Sequence, residues 1–235
     1  MKKSLFSLML GIGILGINSC KKKGCMDSTA VNYNAKAKKD DGSCLYKPTI
    51  TLNGQATVSV NVGSSYTDAG ATATNKDGSS VAVTTDNQVD SSTVGTYYVN
   101  YSATNANGTT TAKRTVNVVI GAENWTGPTW AVTSTCSGTQ FPVSGSPAIT
   151  AGATAADINI DNFFNLVGGT ANGTINGASV TIPQQTINIQ IGDVNFSGTG
   201  AMNASGTQIQ ITYTYDNTAP LIGGSGTCIA IYDKQ

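Results

Sequence analysis

The sequence predicts an all-β chain: a β-sandwich followed by an antiparallel β-barrel or barrel-like sandwich. Three observations carry this. Apolar residues alternate with Ser, Thr and Asn at a period of two, as in Val58, Val60 and Val62 or Ile187, Ile189 and Ile191, the spacing that gives a strand one buried face. Turn dipeptides separate the runs, among them Asn53-Gly54, Asp77-Gly78, Asn107-Gly108 and Asn176-Gly177. No long stretch carries a helical period, and charged residues make up only 11% of the 235.

The chain opens with Lys2 and Lys3, an apolar run from Leu5 to Ile17, and then Asn18, Ser19 and Cys20. The run is too short to cross a bilayer and reads as a secretory leader, residues 1–19. Its ending, Ile17-Asn18-Ser19-Cys20, resembles the lipobox of bacterial lipoproteins, with an aliphatic residue three before the cysteine and a small one just before it. The resemblance implies a mature chain that begins at an acylated Cys20, with the lipid bilayer as its partner. Two or more acyl chains hold a protein stably, at about 0.8 kcal/mol per buried methylene. Lys21, where Asp would retain a lipoprotein in the inner membrane, favours the outer membrane. The periplasmic or cell-surface face stays open, because Lys21-Lys22-Lys23 departs from the acidic run that accompanies surface export in polysaccharide-using bacteria.

Residues 20–46 form a short module bracketed by Cys25 and Cys44. Asp27, Ala30, Asn32, Tyr33 and the run Asp40-Asp41-Gly42-Ser43-Cys44 resemble a small cysteine-bracketed repeat of exported bacterial proteins. Too short to bury a core, such a segment needs a staple. Asp27, Asn32, Asp40 and Asp41 are hard oxygen ligands that could gather around calcium; the run Asp-Asp-Gly-Ser is also the chemistry of a closing turn.

Residues 47–120 read as one sandwich of short strands. Ile50 and Leu52 begin it; Tyr97, Val99, Tyr101 and Ala103 point one way; Val116 and Val118 end it. Pro48-Thr-Ile50, Val58-x-Val60-x-Val62-Gly63, Tyr66-Thr-Asp68-Ala-Gly70, Gly95-Thr-Tyr97, Asn107-Gly108 and Arg114-Thr-Val116 resemble the bacterial immunoglobulin-like domain first recognised in insecticidal crystal proteins. That implies an immunoglobulin-like β-sandwich serving as a spacer or adhesion module. Asp68 reads as a polar bond at a strand corner, with a ligand contact as the other reading.

Residues 121–235 form the second domain. Expected strands are Trp125–Val132, Ala156–Phe163, Ala171–Ile175, Ser179–Ile182, Thr186–Ile191, Val194–Ala201, Thr207–Tyr215 and Cys228–Tyr232. Consecutive short strands with tight turns suggest an antiparallel meander. Trp125-x-Gly127, Asp161-Asn162-Phe163, Val180-x-Ile182-Pro183-x-Gln185 and Phe196-x-Gly198-x-Gly200 resemble small β-barrel C-terminal domains of lipoproteins from polysaccharide-using bacteria.

With Cys20 acylated, four cysteines remain, and three pairings are open to them. Locality favours Cys25–Cys44 and Cys136–Cys228, each within one segment; the second would tie the first strand of the barrel to the last.

Chemistry is sparse. The chain has no histidine, which excludes Ser-His-Asp and Cys-His hydrolysis and every histidine-ligated metal. The cysteines are taken by lipid and disulfides, and the glycine-rich stretches sit between strands rather than before a helix. From Ala122 onward six acids face the single base Lys234, so a nucleic acid backbone would be repelled. A carboxylate pair for glycoside hydrolysis among Asp157, Asp161 and Asp193 is the remote alternative: Asp157 and Asp161 share parity on one strand and, with Ile158 and Ile160 inward, should face water. Binding fits better. Trp125, Trp130, Tyr213 and Tyr215 are the candidate platforms for sugar rings, with core filling as the competing reading. The expectation is a non-catalytic glycan-binding or adhesion lipoprotein on an immunoglobulin-like spacer, with a glycan or surface protein as partner. The alternative is a structural or assembly lipoprotein without a small ligand.

Overall fold

The computed structural model describes residues 21–138, 141–165, 169–190, 192–220 and 223–235. The leader and Cys20 lie outside the described residues, as does Ile191. Among the described residues, no helix is long and apolar enough to cross a membrane.

Residues 21–46 carry little regular structure and are closed by the Cys25–Cys44 disulfide. Tyr46 seats this module on the sandwich: its carbonyl accepts from Asn105 Nδ2 at 2.9 Å and Asn107 Nδ2 at 3.0 Å, and its ring lies under Lys76 Nζ.

The sandwich is built from β1 (Thr49–Leu52), β2 (Thr57–Asn61), β3 (Ala71–Thr74), β4 (Ser80–Val81), β5 (Val83–Asn87), β6 (Gly95–Asn105) and β7 (Gly108–Val119). One sheet runs β1-β3-β4 and the other β2-β7-β6-β5, with β2 parallel to β7 and the other pairs antiparallel. The alternation read from the sequence sets the inner face: Val99, Tyr101 and Val116 are fully buried, with Ile50, Leu52 and Val58 packed against them.

The connection to the second domain is a single helical turn, α1 (Ala122–Thr126), followed by β8 (Trp130–Cys136). This corrects the strand expected over Trp125–Val132. Gly127-Pro128 breaks the chain there, and Asn124 closes the turn by accepting from the Gly121 N–H at 2.9 Å. The remaining strands are β9 (Ile149–Ala151), β10 (Asp157–Asp161), β11 (Thr170–Asn176), β12 (Ser179–Asn188), β13 (Asp193–Met202), β14 (Gln208–Asn217) and β15 (Gly224–Lys234). β9 was not expected from the sequence. The segments expected over Ser179–Ile182 and Thr186–Ile191 merge into one strand, β12, which ends at Asn188 and has its register broken between Ile182 and Gln185.

These eight strands form one antiparallel sheet, order β8-β15-β14-β13-β12-β11-β10-β9, curled into a half-barrel. The first strand pairs with the last, and Cys136 stands directly opposite Cys228, to which it is disulfide-bonded. β8 and β9 are therefore the two edge strands, and Val132 N–H on β8 donates to the C=O of Gly145, in the connection that leads to β9, at 2.9 Å. Gly198 and Gly200 permit the curl. A Cβ at Gly198 would stand 2.8 Å from the Thr212 carbonyl, and one at Gly200 would stand 2.5 Å from the Gln210 carbonyl. Bare glycines let β14 lie close over β13.

One apolar core runs through both domains. Val62, Val118 and Ile120 from the sandwich join Trp125, Met202, Ile209 and the inward residues of the half-barrel. Asn124 Nδ2 donates to the Val62 carbonyl at 2.9 Å, and Val94 N–H to the Ala204 carbonyl at 2.9 Å.

Candidate functional site

The four aromatic candidates are core residues, which corrects the expectation that they form a ligand platform. Trp125, Trp130 and Tyr213 are 0–1% exposed and Tyr215 is 4% exposed. Their polar atoms are also occupied in three cases: Trp125 Nε1 donates to the Gly177 carbonyl, Trp130 Nε1 to the Trp125 carbonyl, and the Tyr213 hydroxyl to the Phe141 carbonyl at 2.7 Å. Burial pushes the Tyr213 hydroxyl up to about 12. The rings of Phe141, Phe163, Phe164 and Phe196 complete an aromatic cluster around Tyr213 and Tyr215, with centroids 4.7–5.7 Å apart. Phe141 and Phe164 adopt φ of 67° and 62°, a strained backbone that the cluster's packing offsets.

Asp27, Asp40 and Asp41 do not converge on one point. Asp27 accepts from the Thr29 N–H and hydroxyl and from the Tyr46 hydroxyl, which hold its carboxyl down at about 2. Asp40 accepts from the Gly42 N–H and Asp41 from Ser43, while Asn32 clasps the Ser43 carbonyl and the Leu45 N–H. The three aspartates each accept within their own turn, while Asn32 ties the middle of the module to its Cys44 end. Among the described residues no group of three or more His, Cys, Asp or Glu side chains converges as a metal site.

Sequence reasoning missed the most elaborate polar cluster. Arg114 on β7 takes a core position, in phase with Val116 and Val118, and is 1% exposed. All five of its N–H donors are engaged: Nε with Gln55 C=O, Nη1 with Asp68 and the Tyr101 hydroxyl, Nη2 with the carbonyls of Asn53 and Gly70. Asp68 also accepts from the hydroxyls of Tyr66 and Tyr101 and from the Gly70 N–H. Burial pushes the Asp68 carboxyl up, but these donors and the Arg114 charge outweigh it and hold it below its usual value. Asp68 is thus a structural bond at the strand corner. The shared parity of Ala112, Arg114, Val116 and Val118 was the signal for Arg114.

The exposed surface of the half-barrel is polar and ordered. Register places Thr174, Thr181, Thr199, Thr212, Ile229 and Thr135 in one row across six strands, all exposed. Beside it a shallow groove of about 260 Å³ lies over β10 and β11, lined by Gly152, Asp157, Asn159, Asn172, Thr174 and Pro183. The break in β12 shapes this groove. Pro183 has no N–H to give the ladder. Gln185 replaces the lost backbone pairing with its side chain, whose Nε2 donates to Asn172 C=O at 2.8 Å and whose Oε1 accepts from Asn172 N–H at 2.9 Å. Asp157 and Asp161 share one side of β10, both half-buried, while Ile158 and Ile160 point to the core. Asp157 accepts from the Thr154 N–H and hydroxyl, and Asp193 from Asn188 Nδ2.

Residues 50–118 match the family described as "Bacterial surface protein, Ig-like domain". Over these residues the sandwich is similar to the immunoglobulin-like domains of bacterial surface proteins. The match spans β1 to β7 and stops short of α1, so it says nothing of the half-barrel. Among solved structures, the chain is similar to the lipoprotein BT2262 from Bacteroides thetaiotaomicron at 18% identity, over 79% of this chain and 99% of that one. The TM-score is 0.30, too low for the likeness to carry an argument. No match was found among curated proteins.

Proposed function

We propose that this protein is a lipid-anchored component of a bacterial cell envelope that works without catalysis, as a display or assembly body. The immunoglobulin-like domain is the spacer and the half-barrel the presented part. The observation that carries this reading is the burial of every aromatic candidate in a core continuous through both domains, beneath a surface of hydroxyls and amides. The surface-protein family of residues 50–118 and the leader ending at Cys20 support the placement. Mass spectrometry of the mature protein tests it: the expected N-terminus is a diacylated or triacylated Cys20, and an unmodified N-terminus elsewhere overturns the anchor. Placement in the outer membrane is tested by membrane fractionation.

A second reading, glycan binding, is favoured by the groove over β10 and β11. Its carboxylate, amides and hydroxyl suit sugar hydroxyls. Polysaccharide binding that is lost in an Asp157→Ala/Asn172→Ala variant supports it; no binding across a glycan array leaves the display reading.

A further inference from the structure

The small module at the start of the folded body has an unusual surface. Residues 20–46 hold six lysines, Lys21, Lys22, Lys23, Lys36, Lys38 and Lys39, against the three aspartates Asp27, Asp40 and Asp41. The remainder, residues 47–235, holds five bases against ten acids. The two parts thus carry opposite net charge: a basic foot under an acidic body.

The fold concentrates that foot. Lys38 N–H donates to Lys22 C=O at 2.7 Å, Gly24 N–H donates to Lys39 C=O at 3.2 Å, and Lys23 bridges Lys39 in parallel. Two lysine runs, thirteen or more residues apart in sequence, therefore lie side by side, and all six lysines are exposed. The three aspartates, each bound in its own turn, offset half of the lysine charge, which leaves the module with three positive charges in excess.

Apolar side chains share the module. Among the described residues eight large hydrophobic side chains are exposed, and four of them are Met26, Val31, Tyr33 and Leu45, at 46–51%. Val31 N–H donates to Leu45 C=O at 2.9 Å, which sets those two together. Isolated exposed apolar residues are ordinary. Four in so short a stretch, in the same module as the paired lysine runs, match the chemistry of a lipid-water interface: cations for head-group phosphates, apolar and aromatic tips for the acyl boundary.

We infer that residues 21–46 are a docking foot for an anionic phospholipid surface. The inference deepens the anchoring proposed above, because that reading places the membrane at Cys20. Acyl chains alone tether a protein without orienting it. The foot lays the module flat on the head groups, the net negative body is repelled from them, and Tyr46 passes the orientation to the immunoglobulin-like domain.

The test uses the oxidised chain 21–235, which holds every element described and lacks the acylation site. It is floated with vesicles of phosphatidylglycerol and phosphatidylcholine, or of phosphatidylcholine alone. The expected result is binding to the anionic vesicles at about 0.1 M salt and its loss near 1 M, where the screening length falls from about 10 Å to about 3 Å. Lys38→Glu/Lys39→Glu should weaken binding at least about tenfold, and Val31→Ser/Leu45→Ser should weaken it without changing its salt dependence. Variants that keep both disulfides and the parent melting temperature are compared. No binding at low salt, equal binding to both vesicle types, or binding indifferent to the lysine variants each overturns the foot. Since Cys20 is absent, such failure leaves the acyl anchor untouched, and an unmodified N-terminus in the mature protein leaves this result untouched.

Discussion

Arg114 and Asp68, 46 residues apart, meet as an ion pair inside the immunoglobulin-like domain, their side chains 1% and 12% exposed. The pair joins β7 to the corner that precedes β3, and the Tyr101 hydroxyl on β6 touches both members. Removing one partner leaves the other buried and uncompensated, at a cost of about 3–5 kcal/mol. Asp68→Asn should therefore lower the urea midpoint markedly, and Asp68→Leu/Arg114→Met should recover part of the loss. The pair also fixes a pH dependence. The folded carboxyl titrates below its usual value of about 3.9, so its contribution is complete above that pH and is lost as pH falls through the folded value. Acid unfolding followed by circular dichroism should steepen below about pH 4 in the parent and be flatter in Asp68→Asn.

The joint between the domains gives a second expectation. Asn124 accepts from Gly121 N–H and donates to Val62 C=O, and Trp125 lies beneath it in the shared core. Calorimetry should show one cooperative transition for both domains. Asn124→Ala should cost about 1–3 kcal/mol by stranding buried polar groups. Trp125→Ala should cost about 3–5 kcal/mol and split the transition in two. Two transitions in the parent would show that the common core does not couple the domains.

Two tyrosines on neighbouring strands should respond oppositely to loss of their hydroxyls. Tyr213 donates to Phe141 C=O and accepts from Val143 N–H. The Tyr232 hydroxyl is buried without a hydrogen-bond partner among the described residues. Tyr213→Phe should destabilise by about 1–3 kcal/mol, because it leaves buried backbone groups unpaired. Tyr232→Phe should be neutral or stabilising, since an unpaired buried hydroxyl is a cost. Paired chemical denaturation curves decide it; equal losses would contradict the assignment.

The bridge made by Gln185 is open to hydrogen exchange. Gln185→Ala removes the acceptor of the Asn172 amide. That amide should exchange faster while Thr174 and Asn176, paired with backbone on β12, keep their protection. Unchanged exchange at Asn172 would mean that the side chain does not substitute for the ladder.

Much of this architecture follows from the sequence through a local cause. Side chains alternate faces along a strand, so Val99, Tyr101, Val116, Ile158 and Ile160 declare their inward positions. Asn-Gly and Asp-Gly turns declare where strands end, and locality anticipated both disulfides. The failures were local too. The strand expected over Trp125–Val132 takes in Trp125, whereas Gly127-Pro128 and the Asn124 cap turn that stretch into a helical connection.

What only the tertiary structure decided depends on partners far along the chain. Alternation reports that Trp130 or Tyr213 lies on one face, but not which face meets a core; the curl allowed by Gly198 and Gly200 turns that face inward. Parity places Arg114 among valines, and only Asp68, Tyr101 and three carbonyls brought from elsewhere make a charge tenable there. The two lysine runs of the small module are separate in sequence, and hydrogen bonds between their backbones make them one surface. Periodicity is a property of neighbours, legible one residue at a time. Satisfying a buried charge, closing a sheet and assembling a patch are properties of contacts between distant residues, fixed when the chain has folded.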